Sequence, residues 1–172
     1  MPVRVCVIGI GNELRGDDGV GLVTLRELKA IFRDSPIELL EAGDHLFDIP
    51  EIIMGFDIIV IIDALPPGLG SEMIRTVDFD PDSLPVRETF SLHDMDLLWQ
   101  LGYACRNGFQ GKVILVGIMT FSLEYRREFS PELIKFLPEI SLKIAGIIQQ
   151  ILTDNYISSP ISTAIGPKSV ST

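Results

Sequence analysis

The chain has 172 residues, a length that favours a single domain, and 47% of them are hydrophobic while 22% are charged, as in globular proteins. The net charge of −10 argues against a nucleic acid or an anionic membrane as partner, because both require basic surfaces. No apolar run approaches the roughly 20 residues of a membrane span, and no signal peptide is visible. Cys6 and Cys105 lack CxxC spacing and are expected to be buried thiols in a reducing compartment, so the protein is predicted to be cytoplasmic.

Short apolar runs alternate with helical patterns along the chain. Continuous apolar runs mark strands that are covered on both faces, and they occur here at residues 3–9, 37–42, 57–64 and 112–119. Residues 73–79 alternate more and predict an edge strand. Helical patterns occupy residues 20–32, 46–55, 95–105 and 133–151, with Ile31 and Trp99 expected to face the core. This alternation predicts a three-layer α/β/α sandwich around a mostly parallel, roughly five-stranded twisted sheet.

The last helical pattern has a clear beginning. Ser130 is expected as its N-cap and Pro131 at its first position, whereas Pro138 should kink or restart the helix. Residues 1–154 are predicted to form the single α/β domain. Residues 155–172 are predicted to be a flexible tail, since Ser, Thr, Pro and Gly dominate its end without periodicity.

Two acids and one imidazole are predicted to meet at one edge of the sheet. Asp18 follows the first strand in a glycine-rich turn, Asp63 follows five apolar residues, and His93 lies where a helix begins after Ser91. Ligands bind beyond the carboxyl ends of the strands in open α/β sheets. The positive end of the helix would keep His93 neutral, as a metal ligand must be. Two carboxylates and one imidazole are suitable ligands for nickel, zinc or iron, and three ligands leave coordination positions of the ion open.

Each residue also has a simpler interpretation. Asp18 could cap the following helix, Asp63 could cap a loop, and His93 could be an ordinary residue at a helix start. Asp17 is interpreted as a helix cap. The alternative is that Asp17 contacts Asp18 and holds it in place. His45 is interpreted as structural or solvated, and less readily as a fourth ligand.

A dinucleotide site is the competing interpretation of the first turn. Gly9-x-Gly11 follows a strand, and Glu41 ends the second strand, where a ribose-binding acid could lie. However, Leu14 occupies the third glycine position, and Asp18 with its neighbouring acid would repel a pyrophosphate. We therefore expect no nucleotide cofactor.

Residues 9–21 (GIGNELRGDDGVG) resemble the opening motif of the nickel–iron hydrogenase maturation proteases. Asp63-Ala64 resembles their second motif and Ser91-Leu92-His93 their third. Residues 116–118, 122–124 and 130–131 are similar to their last strand and the entry to their final helix. The resemblance covers about residues 3–152, with Thr120 or Phe121 where much of the family has proline.

The resemblance implies a cytoplasmic endopeptidase, often classed as aspartic-type. Such enzymes remove a C-terminal extension from the precursor of a hydrogenase large subunit after nickel insertion. Their nickel-contacting positions correspond to Asp18, Asp63 and His93, the first being glutamate in some members. The nickel would be that of the precursor, and the protease is expected to be a monomer.

Three mechanisms are compatible with these residues. The three side chains could bind the precursor's nickel while Asp18 acts as general base, a metal bound by the protease could activate water, or Asp18 and Asp63 could share a proton. A non-proteolytic nickel-binding assembly factor is the alternative function. Residues 66–70 and 121–129 are expected to select the hydrogenase.

Overall fold

A five-stranded sheet forms the centre of the molecule. The computed structural model describes residues 2–43, 48–68, 71–82 and 92–157, and the side chains of these except 92–95 and 156–157. The strands are β1 (Val5–Ile10), β2 (Glu38–Gly43), β3 (Ile58–Leu65), β4 (Ile74–Asp78) and β5 (Lys112–Met119), in the order β2-β1-β3-β5-β4. Only β4 is antiparallel, and it forms the edge beside β5. The predicted sheet and its edge strand are confirmed.

Helices cover both faces of this sheet. They are α1 (Val20–Ile31), α2 (Ile49–Ile53), α3 (Leu92–Arg106) and α4 (Pro131–Ile157). One apolar cluster, which includes Leu25 and Val60, joins α1 and α4 to one face. A second, which includes Leu101 and Ile61, joins α2 and α3 to the other. Successive residues of β3 therefore enter opposite clusters, as in a strand buried on both sides, and the three-layer prediction is confirmed.

Two residues predicted to face the core are exposed. Trp99 is 60% exposed, because the buried face of α3 carries Leu97 and Leu101 and Trp99 lies about 200° around the helix from Leu97. Ile31 is 43% exposed at the end of α1, where Leu28 and Phe32 supply the buried stripe. The helical periods were assigned correctly, but these two side chains were placed on the wrong face.

The final helix begins as predicted and runs further than predicted. The Leu133 N–H donates to Ser130 Oγ at 3.2 Å, which confirms Ser130 as the N-cap. Pro138 lies within α4, and the helix does not restart there. Its last residue is Ile157, three residues into the segment predicted as a tail, and residues 158–172 lie outside the described part. No helix in the described segments is long and apolar enough to cross a membrane.

Candidate functional site

The turn after β1 depends on glycine for its shape. Gly11 has φ of 138°, and a Cβ there would lie 2.1 Å from the carbonyl oxygen of Asp18. Asn12 Oδ1 accepts the Leu14 N–H at 2.9 Å, and the Asn12 carbonyl accepts the Arg15 N–H at 3.0 Å. The glycine thus lets the two ends of the turn meet, and the asparagine folds the chain between them.

Asp18 lies in a 3₁₀ turn, Gly16–Gly19, that leads directly into α1. It is half-buried, and its Oδ2 accepts the Asn12 N–H at 3.1 Å. A Cβ on Gly21 would lie 2.3 Å from the Ile10 carbonyl oxygen and 2.6 Å from that of Ile62. The start of α1 therefore rests on the carboxyl ends of β1 and β3, and the 3₁₀ turn contacts β3.

Asp63 lies at this same edge, one residue beyond Ile62. It is half-buried in β3 opposite Gly117 of β5, and its Oδ1 accepts the Ala64 N–H at 2.8 Å. Because strand residues alternate between faces, Asp63 lies on the face of Ile59 and Ile61, which α3 covers. The structure therefore places Asp18 and Asp63 at the carboxyl edge, as the sequence predicted.

His93 belongs to the first turn of α3, which begins at Leu92. This helix ends at Arg106 near the start of β5 and spans about 22 Å, so its N-terminus lies toward the carboxyl edge. The His93 side chain and the expected cap Ser91 lie outside the described residues. Among the His, Cys, Asp and Glu side chains that are described, no three could hold a metal ion, so the complete ligand set stays a prediction.

Asp17 has a different role from the predicted helix cap. It is fully buried and makes no capping bond to the 3₁₀ turn or to α1. Its carboxylate instead accepts hydrogen bonds from Phe121, Ser122 and Ser130. The helix-cap interpretation is wrong, because the carboxylate binds donors that lie more than 100 residues away along the chain. No sequence pattern near Asp17 indicates these partners.

Glu41, the acid of the dinucleotide alternative, belongs to an exposed ion-pair cluster. Arg26 Nη2 and Lys29 Nζ each donate to its carboxylate at 2.8 Å. The hydrogen bonds from Arg26, followed by those from Lys29, lower the pKa of Glu41 to about 2. His45, which was considered as a fourth ligand, lies outside the described residues.

The two cysteines are free and lie away from the carboxyl edge. Burial raises the pKa of Cys6 to about 12, with a smaller contribution from the negative charge of Glu38. Cys105, near the end of α3, is only half-buried rather than buried as expected, and partial burial raises its pKa. Neither environment favours a nucleophilic thiolate.

Comparison with known proteins points to one family. The family model described as HycI, hydrogenase maturation protease, matches residues 23–153, a range that begins after Asp18. The hydrogenase expression/formation protein HupD of Thiocapsa roseopersicina is 25% identical over 168 residues, which cover 91% of this chain and 76% of HupD.

Solved structures share the fold. The hydrogenase maturating endopeptidase HybD of E. coli matches with a TM-score of 0.70 and 19% identity, over 86% of this chain and 93% of HybD. The [NiFe] hydrogenase maturation protease HybD of Thermococcus kodakarensis matches with a TM-score of 0.63 and 24% identity, over 87% and 99% of the two chains.

Proposed function

We propose that this chain, which belongs to the hydrogenase maturation protease family, removes the C-terminal extension of a hydrogenase large-subunit precursor after nickel has been inserted. Membership of that family makes it a peptidase. In this proposal nickel is part of the substrate, and its presence marks a precursor that is ready for cleavage. The reaction takes place in the cytoplasm, where the thiols of Cys6 and Cys105 stay reduced, and the protease acts as a monomer.

The placement of two carboxylates at one sheet edge carries the proposal. Gly21 brings the beginning of α1 against the Ile10 and Ile62 carbonyls, which holds Asp18 near the end of β3. Asp63 follows Ile62 directly. Carboxylate oxygens with one imidazole are suitable ligands for a divalent ion of the nickel type, and His93 of α3 would supply the imidazole.

The proposed chemistry has two steps, binding of the precursor and proton transfer, and Asp18 takes part in both. Asp18, Asp63 and His93 contact the nickel of the precursor and so position the scissile peptide bond beside the two carboxylates. Asp18 then removes a proton from water as the resulting hydroxide adds to the carbonyl carbon. When the C–N bond breaks, the proton passes to the leaving amine, and the extension departs.

Cleavage of purified precursor tests this proposal. Precursor with and without nickel is incubated with the wild-type protease, and its length is followed by gel electrophoresis and mass spectrometry. We expect shortening of the nickel-loaded form alone. Asp18→Asn should lower kcat/KM about 100-fold or more, since a positioned general base contributes about 10²–10⁴-fold. Asp63→Asn should also lower kcat/KM, because it weakens a contact that positions the nickel and the scissile bond.

Asp78→Asn is the matched control for charge removal. Asp78 lies on the exposed edge strand β4, where its carboxylate pairs with Lys112 far from the carboxyl edge. This variant should retain wild-type kinetics. A nickel-loaded precursor left at full length by the wild-type protein would contradict the proposed cleavage of this precursor and favour a non-proteolytic assembly factor. Full activity of Asp63→Asn would contradict only the role of that residue.

A further inference from the structure

Asp17 is a fully buried carboxylate that the proposed chemistry does not use. Its Oδ1 accepts the Ser130 N–H at 2.7 Å. Its Oδ2 accepts the Phe121 N–H at 2.9 Å, the Ser122 N–H at 3.0 Å and the Ser130 hydroxyl at 2.7 Å. Four donors therefore converge on one side chain, which neighbours Asp18 in the sequence.

These hydrogen bonds close a loop of residues 121–130, which we call the 121–130 loop. Phe121 and Ser122 form its beginning and Ser130 its end, so one carboxylate holds both. The loop is also attached in its middle, because the Gly16 N–H donates to the Arg126 carbonyl at 2.6 Å. The loop and the turn that carries Asp18 are thus joined as one unit.

The beginning of this loop forms a wall of a groove of about 310 Å³. Met73, Met119 and Phe121 line the groove with apolar surface, and Glu72 is the charged residue among the described residues of its lining. Met119 pairs with Leu65, two residues beyond Asp63 on β3, a distance of about 7 Å along the strand. A polypeptide with its scissile bond at Asp63 would therefore reach the groove within about two residues.

We propose that Asp17 is a positioning residue that fixes the 121–130 loop and thereby the wall of this groove, which receives an apolar side chain of the precursor near the scissile bond. The inference rests on the proposed function. The apolar lining selects the occupant, and the carboxylate of Glu72 disfavours an acidic one. Asp17 acts on substrate binding through Phe121 and takes no part in proton transfer.

Replacement of Asp17 by asparagine shows why the carboxylate is needed. An amide keeps one acceptor oxygen and replaces the other with an NH₂ donor. In one orientation that NH₂ meets the Ser130 N–H, and in the other it meets the N–H groups of Phe121 and Ser122. Either orientation sets donor against donor in a buried position and releases one end of the loop.

Steady-state kinetics on nickel-loaded precursor test the inference. We expect Asp17→Asn to raise KM about tenfold while kcat falls less, as for loss of a binding contact. Ser141→Ala is the matched control, because the buried Ser141 hydroxyl donates to Glu27 and joins α4 to α1 away from the loop. Ser141→Ala also removes a hydrogen-bond donor to a carboxylate, but between α4 and α1, and its KM should equal that of the wild type.

Two further measurements separate loop positioning from general damage. Trypsin should cut Asp17→Asn faster at Arg126 and Arg127, and cut Ser141→Ala as slowly as the wild type. Phe121→Ala keeps the backbone N–H that Asp17 binds but removes the groove wall, so its KM should rise in the same direction.

Each outcome bears on one statement alone. Absence of cleavage by the wild-type protein would overturn the proposed function. Cleavage by the wild type, together with a wild-type KM in Asp17→Asn, would overturn the inference and leave the proposed function intact. If Asp17→Asn does not fold, Phe121→Ala decides, and a wild-type KM in that variant overturns the inference.

Discussion

Gly21→Ala tests whether the beginning of α1 is fixed against the sheet as the structure shows. The added Cβ would lie 2.3 Å from the Ile10 carbonyl oxygen and 2.6 Å from that of Ile62. Both contacts are backbone atoms of central strands, so no flexible side chain can move aside. Either α1 must shift away from the sheet edge, and Asp18 with it, or the strand ends must deform.

The magnitude follows from two opposing contributions. Alanine is favoured over glycine within a helix by about 0.5–1 kcal/mol. Overpacking costs about 1–3 kcal/mol, and rigid backbone contacts put this site near the upper value. The free energy of unfolding should therefore fall by about 2 kcal/mol. Gly146→Ala in α4 is the matched control, because a Cβ there meets nothing within 4 Å, and it should raise stability by about 0.5–1 kcal/mol.

Urea and thermal unfolding of both variants measure the difference. A gap of about 3 kcal/mol corresponds to roughly 6–12 °C in the midpoint for a domain of this size. Gly21→Ala should also lose precursor cleavage at temperatures where it stays folded, whereas Gly146→Ala should keep it. Equal stability of Gly21→Ala and Gly146→Ala would show that α1 does not rest on the two carbonyls.

Three other predictions follow from particular environments. In the folded protein at pH 8, iodoacetamide should leave Cys6 unmodified and modify Cys105 more readily in a mass-spectrometric assay, because burial raises the pKa of Cys6 to about 12; equal rates would contradict this. Glu41→Gln should cost less than about 1 kcal/mol at neutral pH, since the ion pairs are exposed. The folded pKa of Glu41 is lowered from 4.5 to about 2, so its stabilisation is complete above pH 4.5 and is lost as the pH falls toward 2; urea unfolding across that window should show the variant's deficit disappear. Acrylamide should quench Trp99 readily in the native state, because Trp99 is 60% exposed on α3, and quenching as weak as that of a buried indole would contradict that placement.

The strands were predictable because their signal is local. Residues such as Ile58 to Ile62 form an apolar run that is needed only where both faces of a strand are covered. Once the strands are parallel, their carboxyl ends must share an edge, so the positions of Asp18 and Asp63 followed from order along the chain. The predicted strand limits differ from the observed ones by at most two residues, and those of β5 coincide.

The contacts of Asp17 were not predictable for the opposite reason. Phe121 and Ser122 contribute backbone N–H groups, which every residue other than proline possesses, so the sequence carries no sign of the contact. The exposure of Trp99 was not predicted, because the helical period gives only the spacing of the apolar residues. Which face of the helix is buried depends on which of its side chains pack against the sheet.

The adjacent acids of the first turn differ because of the turn that carries them. A 3₁₀ helix has three residues per turn, so Asp17 and Asp18 project about 120° apart. One carboxylate enters the interior and is surrounded by donors from the 121–130 loop, while the other stays half-buried and accepts only the Asn12 N–H among its described hydrogen bonds.

A buried carboxylate with four donors is committed to structure, whereas a half-buried one keeps acceptor capacity for a ligand. The local geometry therefore assigns the two neighbouring aspartates to different tasks within one motif.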